Sequence, residues 1–128
     1  MRLLVDTHAL LWWILDDPAL SPSARRHLGN PGNGILVSSA SAWEIATKFR
    51  IGRLPDADEL VADFEGYVAR QHFEAFPISI DYAVRAGLLP GPHKDPFDRM
   101  LIAQAQAESL PIVSKDVIFD SYGIRRLW

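Results

Sequence analysis

The side chains in this sequence that are best suited to chemistry are four carboxylates. They belong to Asp6, Glu44, Asp98 and Asp116. Asp6 and Asp116 each follow a short apolar run, while Glu44 and Asp98 fall in the first turns of segments with helical composition. Four carboxylates gathered in one crevice would repel one another strongly unless a cation neutralised them. Because the ligands would be carboxylate oxygens and the chain has no cysteine, the set predicts Mg²⁺ or Mn²⁺ rather than zinc.

Each acid also has a purely structural interpretation, which the sequence leaves open. The segment Ser41-Ala-Trp-Glu44 fits a capping box, in which the glutamate binds the start of its own helix. Asp98 could simply favour the positive end of a helix dipole. Asp6 and Asp116 could be N-caps or turn formers. If all four acids lie at one edge of a sheet, a metal site explains them better than four separate helix caps.

Strands alternating with helices must position these acids. The sequence predicts strands over 2–5, 35–38, 76–80, 110–113 and 124–127, and helices over 9–15, 21–28, 41–51, 56–72, 81–89 and from 96 onward. For the last helix, Asp95 is the expected N-cap and Pro96 the first helical residue. This alternation predicts an α/β sandwich with a mostly parallel sheet. Such sheets bind ligands outside the carboxyl ends of their strands, which Asp6 and Asp116 follow directly and Asp98 can reach.

Length and composition limit the class of protein. A chain of 128 residues predicts one domain, residues 1–128, with a buried core. No apolar run reaches the roughly 18 residues of a membrane span, and Asp6 interrupts the first apolar stretch too early for a signal peptide. The lack of cysteine fits a cytoplasmic protein. A net charge of −3 argues against broad, non-specific coating of nucleic acid.

Three segments resemble the PIN-domain ribonucleases, and within them the toxins of VapBC toxin–antitoxin pairs: LLVDTHALLWW, VSSASAWEIATK and HKDPFDRMLIAQAQAESLPIVSKD. The resemblance covers essentially the whole chain, and the four acids occupy the four acidic positions of the family. It implies a PIN-like three-layer α/β/α fold with about five parallel strands. It also implies an endoribonuclease that depends on Mg²⁺ or Mn²⁺, usually forms a homodimer and is silenced by a small antitoxin protein.

Polar neighbours of the acids are expected to support such a site. Thr7 and Ser114 have hydroxyls that could position a carboxylate or a water molecule, although an ordinary helix-start hydroxyl explains Thr7 equally well. Asp95 and His93 belong to only part of the family. His93 is expected to be structural or to face the substrate, because the acids already supply enough metal ligands.

Basic residues near the acids could contact RNA phosphates, and solvated surface or charge balance is the alternative for each. One group, Lys94, Arg99 and Lys115, lies close to Asp98 and Asp116 in the sequence. A second group lies on the helix of Glu44 and consists of Lys48, Arg50 and Arg53.

Adjacent tryptophans mark a further surface. Trp12 and Trp13 cannot face the same way on one helix. One of them is therefore expected to reach the surface, where an antitoxin or a second subunit could cover it.

Three other functions remain as alternatives. A phosphatase of the haloacid-dehalogenase type would need a second aspartate where His8 stands. A phosphoreceiver domain would share the acidic Mg²⁺ pocket but would not need Glu44 or Asp98 in helices. A non-catalytic binding module is the third alternative.

Overall fold

A five-stranded parallel sheet forms the centre of the computed structural model, which describes residues 1–128. Its strands are β1 (Arg2–Val5), β2 (Gly34–Ser38), β3 (Glu74–Phe76), β4 (Ile112–Val113) and β5 (Arg126–Leu127). They lie in the order β3-β2-β1-β4-β5, and every neighbouring pair is parallel. The prediction of a mostly parallel sheet of about five strands is confirmed.

Helices connect these strands. The α-helices are α1 (Thr7–Ile14), α2 (Pro22–Gly29), α3 (Ser39–Arg50), α4 (Asp58–Ala62), α5 (Phe64–Arg70), α6 (Ile80–Leu88) and α7 (Pro96–Glu108). Two 3₁₀ helices span Pro55–Ala57 and Val117–Tyr122. None of the helices has the length and apolar character needed to cross a lipid bilayer.

Both faces of the sheet are covered, because strand residues alternate between two separate apolar cores. In β1, Leu3 and Val5 belong to a core shared with α1, α2 and α5, whereas Leu4 belongs to a core shared with α7. Successive side chains of a strand point to opposite faces, and all three of these residues are fully buried. The predicted three-layer α/β/α arrangement is therefore confirmed.

The strand order opens a crevice between β1 and β4. The chain builds the sheet outward from β1 through β2 and β3 on one side, and through β4 and β5 on the other. Beyond the carboxyl ends of β1 and β4, α1 packs into one core, while the 3₁₀ helix Val117–Tyr122 places Phe119 in the other. Segments that diverge in this way leave a gap, and open α/β sheets bind ligands in such gaps.

The prediction of one continuous helix over 56–72 is wrong. The backbone leaves helical geometry at Asp63, where φ is −149°, and α4 and α5 lie on either side. The Asp63 carboxylate accepts a hydrogen bond from the Gly66 N–H at 3.1 Å and so begins α5. Aspartate breaks helices by bonding nearby backbone groups in this way. Leu60 and Val68 still enter the same core, which is why their helical spacing resembled a single element.

Three strands also differ from the prediction in their bounds. The fourth strand, predicted over 110–113, spans only Ile112–Val113. The third strand, predicted over 76–80, spans Glu74–Phe76 and ends before Pro77, which has no N–H to donate to a neighbouring strand. The last strand, predicted over 124–127, is restricted to Arg126–Leu127. The 3₁₀ helix Val117–Tyr122 was not predicted.

Candidate active site

Asp6 lies at the crevice, directly after β1, and only 5% of its surface is exposed. Ser114 follows β4 and is fully buried. Its hydroxyl donates a hydrogen bond to Asp6 Oδ2 at 2.7 Å and accepts one from the backbone N–H of Asp116 at 3.0 Å. Ser114 thus ties together two acidic residues that follow neighbouring strands, as expected for a hydroxyl that orients a carboxylate.

Burial makes negative charge unfavourable at this site. It raises the pKa of Asp6 to about 6, although the hydrogen bond from Ser114 opposes the change, and the nearby charge of Asp98 raises it further. Burial also raises the pKa of Asp98, and the charge of Asp116 adds to that effect. Asp98 therefore repels both Asp6, which is buried, and Asp116, which is exposed, and a cation bound among the three carboxylates would relieve this repulsion.

The start of α7 places Asp98. The Asp95 carboxylate accepts hydrogen bonds from the N–H groups of Phe97 at 2.9 Å and Asp98 at 3.2 Å, which makes it the N-cap. The predicted cap at Asp95 and the helix start at Pro96 are confirmed. The Asp98 carboxylate in turn contacts His93 Nε2 at 2.9 Å. Asp95 thus has a structural role. His93 contacts Asp98 directly, and this pairing was not predicted from the sequence.

Glu44 does not form a capping box. The hydroxyl of Ser38 accepts a hydrogen bond from the N–H two residues on, at 3.0 Å, so Ser38 rather than Ser41 caps α3. Glu44 consequently lies in the second turn, not the first. Its carboxylate is almost fully buried and pairs with Lys48 Nζ at 2.6 Å. The spacing of four residues between Glu44 and Lys48 was the sequence signal for this pair.

The two remaining acids, Asp6 and Asp116, differ in whether their side chains cap the helix that follows. Asp6 precedes α1 but its side chain makes no capping hydrogen bond. Asp116 does cap the following 3₁₀ helix, because its Oδ1 accepts from the Ile118 N–H at 3.0 Å.

The hydroxyls of Thr7 and Ser41 lie 2.9 Å apart and are both buried. This bond links the helix after Asp6 to the helix that carries Glu44.

Arg99 points into the protein rather than toward a substrate. Its guanidinium donates to backbone carbonyl oxygens at the end of α6 and in the loop that follows, namely those of Ala86, Gly87, Leu89 and His93. The side chain therefore braces the loop that carries His93 against α7. Lys94, by contrast, is exposed and forms no ion pair.

An open cavity of about 280 Å³ borders this acidic region and is lined by Asp6, His8, Trp12, Lys115 and Asp116. Trp12 packs against the rings of His8 and Trp128, with centroids 5.9 and 5.8 Å away. Trp13 does not line this cavity, and its indole N–H donates a hydrogen bond to Gln71 Oε1 at 3.0 Å. Both tryptophans are half-buried, and Trp12 is the one that borders the acids.

The chemistry of these donors fits a hard divalent cation, because they are carboxylate and hydroxyl oxygens in a region where burial disfavours negative charge. No three Asp, Glu or His side chains converge closely enough to hold an ion in this side-chain arrangement. Glu44 is held by Lys48, and Asp98 by His93. Each partner engages only one carboxylate oxygen, and the second oxygen of Glu44 and of Asp98 forms no hydrogen bond with the protein and is available to an ion.

The sequence model of the PIN domain family matches residues 3–124. The chain belongs to the PIN domain family. PIN domains are nucleases and generally use divalent metal ions. This membership favours a nuclease over the phosphatase and phosphoreceiver alternatives.

One solved structure shows the same fold, and a second was matched with a lower score. The crystal structure of VapBC2 from Rickettsia felis, bound to a DNA fragment from its promoter, contains a chain that is 18% identical, with a TM-score of 0.71 over 98% of this chain and 97% of that one. A toxin–antitoxin complex from Klebsiella pneumoniae matches with 17% identity and a TM-score of 0.49, over 91% and 88% of the two chains. No curated protein is significantly similar in sequence to this PIN domain.

Proposed function

We propose that this PIN domain is a divalent-metal-dependent endoribonuclease and the toxin of a type II toxin–antitoxin pair. The main support is the buried Asp6 at the carboxyl ends of β1 and β4, with its pKa raised to about 6 and with Asp98 and Asp116 nearby. Membership of a nuclease family supports phosphodiester hydrolysis. The fold similarity to a chain of VapBC2 supports the toxin–antitoxin context.

The residues that would hold the ion, Mg²⁺ or Mn²⁺, are Asp6, Glu44, Asp98 and Asp116. A bound divalent ion supplies a nucleophilic water at neutral pH and stabilises charge on the phosphate and the leaving oxygen. Ser114 keeps the Asp6 carboxylate oriented through its hydrogen bond. The bond between Thr7 and Ser41 holds the two helices that follow Asp6 and carry Glu44.

RNA phosphates would meet the basic residues that have no other partner. Lys48 and Arg99 are committed to Glu44 and to backbone carbonyls. Lys94 is exposed, and Lys115 lines the cavity beside Asp6. We therefore assign phosphate contacts to Lys94 and Lys115.

The test is RNA cleavage by the purified protein with Mg²⁺, with Mn²⁺ and with a chelator. Cleavage is expected only with a metal, and Asp6→Asn should lower it by at least about 100-fold. Asp56→Asn is the matched control, because Asp56 is an exposed acid on the 3₁₀ helix Pro55–Ala57 and forms no ion pair. Failure of the wild-type protein to cut any cellular or synthetic RNA with either metal would contradict the proposal, as would a fully active Asp6→Asn variant.

A small cytoplasmic antitoxin is the proposed protein partner. It would place an Arg or Lys against Asp6 and Asp98 and an apolar segment along α1 near Trp12. A guanidinium can pair bidentately with a carboxylate and take the position of the cation. Trp12 borders the acidic cavity and offers apolar surface beside it. Hydrogen exchange should show protection of α1 and of the Asp6 loop when the antitoxin binds.

A homodimer through α6 is also part of the proposal. Ile80, Val84 and Leu88 are 86%, 54% and 78% exposed, and their spacing of four residues places them on one face of the helix. Asp81 and Arg85 pair with each other at 2.8 Å, so the stripe carries little net charge. A second copy could bury this stripe against its own by two-fold symmetry. Val84→Glu should then yield a monomer in light scattering, and an unchanged dimer would exclude this surface.

A further inference from the structure

Trp43 stands out among the exposed residues. It is the one aromatic side chain among the exposed large hydrophobic residues, and 61% of it is open to solvent. Its ring packs against Phe97 with centroids 4.8 Å apart and planes at 74°. An edge contact of this kind fixes the orientation of the indole but leaves much of its surface uncovered. Core packing therefore does not account for a tryptophan at this position.

The aromatic pair bridges the two helices that carry acidic site residues. Trp43 precedes Glu44 on α3, and Phe97 precedes Asp98 in the first turn of α7. The ring of Trp43 thus lies at the start of α7, where the Asp95 cap also holds the N–H groups of Phe97 and Asp98. A planar group resting on Trp43 would lie close to the acids that act on the phosphodiester.

Resting on the proposed ribonuclease function, we propose that Trp43, braced by Phe97, is a stacking platform for an unpaired nucleobase beside the scissile phosphate. Single-stranded RNA is recognised largely through bases that stack on aromatic side chains. Such stacking tolerates different bases, because every base offers a π face. The platform would hold the substrate strand in place without reading its sequence strictly.

The surroundings of Trp43 favour a nucleobase over a protein partner. Its neighbours one turn away on α3, Ser39, Ala46 and Thr47, are small or polar, and Arg50 is exposed one turn further on. A protein interface usually needs a contiguous apolar patch. The exposed face of Trp43, with no further large apolar side chain beside it on α3 and with the Arg50 cation one turn further on, is instead suited to a base and its phosphate.

The experiment compares Trp43→Ala, Trp43→Phe and Leu15→Ala. Leu15 is an exposed apolar residue at the end of α1 remote from Asp6 and serves as the control. The probe is a fluorescent single-stranded RNA of about 12 nucleotides. Its Kd is measured by anisotropy with Ca²⁺ replacing the catalytic ion, and its kcat and KM are measured with Mn²⁺. A melting curve checks that each variant is folded.

We expect Trp43→Ala to weaken RNA binding by about 5- to 150-fold and to raise KM much more than it lowers kcat. Trp43→Phe should retain most of the affinity, and Leu15→Ala should match the wild type. A series of RNAs, each with one abasic site at a different position, is then tested. At one position the missing base should weaken binding to the wild type but not to Trp43→Ala. Because the platform is uncharged, the salt dependence of binding should not change.

Three results would overturn the platform, and they are distinguishable. If the wild type cleaves RNA and Trp43→Ala has the same Kd and KM as the wild type, the stacking platform is refuted and the ribonuclease assignment stands. Trp43→Ala that loses inhibition by a co-expressed antitoxin, but binds RNA normally, makes Trp43 a protein-docking residue instead. A wild-type protein that neither binds nor cuts RNA defeats the proposed function, and the platform with it.

Discussion

Asp6→Asn should stabilise the metal-free protein at neutral and alkaline pH. Burial raises the pKa of Asp6 from its ordinary 3.8 to about 6, so the folded state disfavours the ionised carboxylate more than the unfolded state does. Above this pKa the wild-type protein must hold that charge in a poorly solvated site. Asparagine removes the charge and keeps a carbonyl oxygen that can accept the hydrogen bond from Ser114.

The size and sign of the effect follow from that pKa. Each unit of difference corresponds to about 1.4 kcal/mol, so a rise of about two units amounts to about 3 kcal/mol. Because the folded-state pKa is the higher one, this group lowers the free energy of unfolding as pH rises from about 4 to about 6. The buried amide of asparagine needs a partner of its own, which subtracts about 1 kcal/mol or more. A net gain of about 1 to 2 kcal/mol is therefore expected near pH 8 and little or none near pH 4.

Urea unfolding in the presence of a chelator, at several values between about pH 4 and pH 8, measures this difference. Asp56→Asn is the control, because Asp56 is an exposed acid on the 3₁₀ helix Pro55–Ala57. An Asp6→Asn variant that is less stable than the wild type at pH 8 would refute the reasoning. So would a stability difference that stays constant across the whole pH range.

Four further outcomes are expected. RNA cleavage should fall by at least about 100-fold, with the fold retained, in each of Asp6→Asn, Glu44→Gln, Asp98→Asn and Asp116→Asn. Millimolar Mn²⁺ should raise the melting temperature of the wild type by binding the native state, and less so that of Asp6→Asn; equal responses would argue against the site. Arg99→Met should lower the free energy of unfolding by about 2 to 4 kcal/mol in urea titrations, because it leaves several backbone carbonyls without donors. Trp12→Ala should weaken binding of the proposed antitoxin in calorimetry while leaving RNA cleavage by the unbound protein in place.

Features that depend on a few neighbouring residues could be predicted from the sequence. The cap at Asp95 and the start of α7 at Pro96 are local preferences of these residue types, and the structure has them as predicted. The break at Asp63 is also local, but an apolar pattern of helical spacing on both sides obscured it. The bond between Glu44 and Lys48 follows a known helical spacing, yet the sequence could not decide whether Lys48 would face the acid or a phosphate.

Contacts between distant parts of the chain could not be predicted, because they depend on how whole elements pack. Arg99 is basic and close to Asp98 in sequence, which suggested a contact with RNA. Only the placement of the end of α6 beside α7 directs its guanidinium to backbone carbonyls. The exposure of Trp43 and the half-burial of Trp12 and Trp13 likewise depend on which neighbours cover each ring.

The sequence by itself determined the kinds of atoms available to the site: carboxylates after short apolar strands and near helix starts, hydroxyls beside them, and no thiolate. Those choices exclude a zinc–cysteine site and favour a hard cation whatever the details of packing. Only the tertiary structure decided that Ser114 would bind Asp6 across 108 residues of chain. It also decided how deeply Asp6 is buried, and therefore its pKa, because desolvation depends on everything that packs around a group and not on its neighbours in sequence.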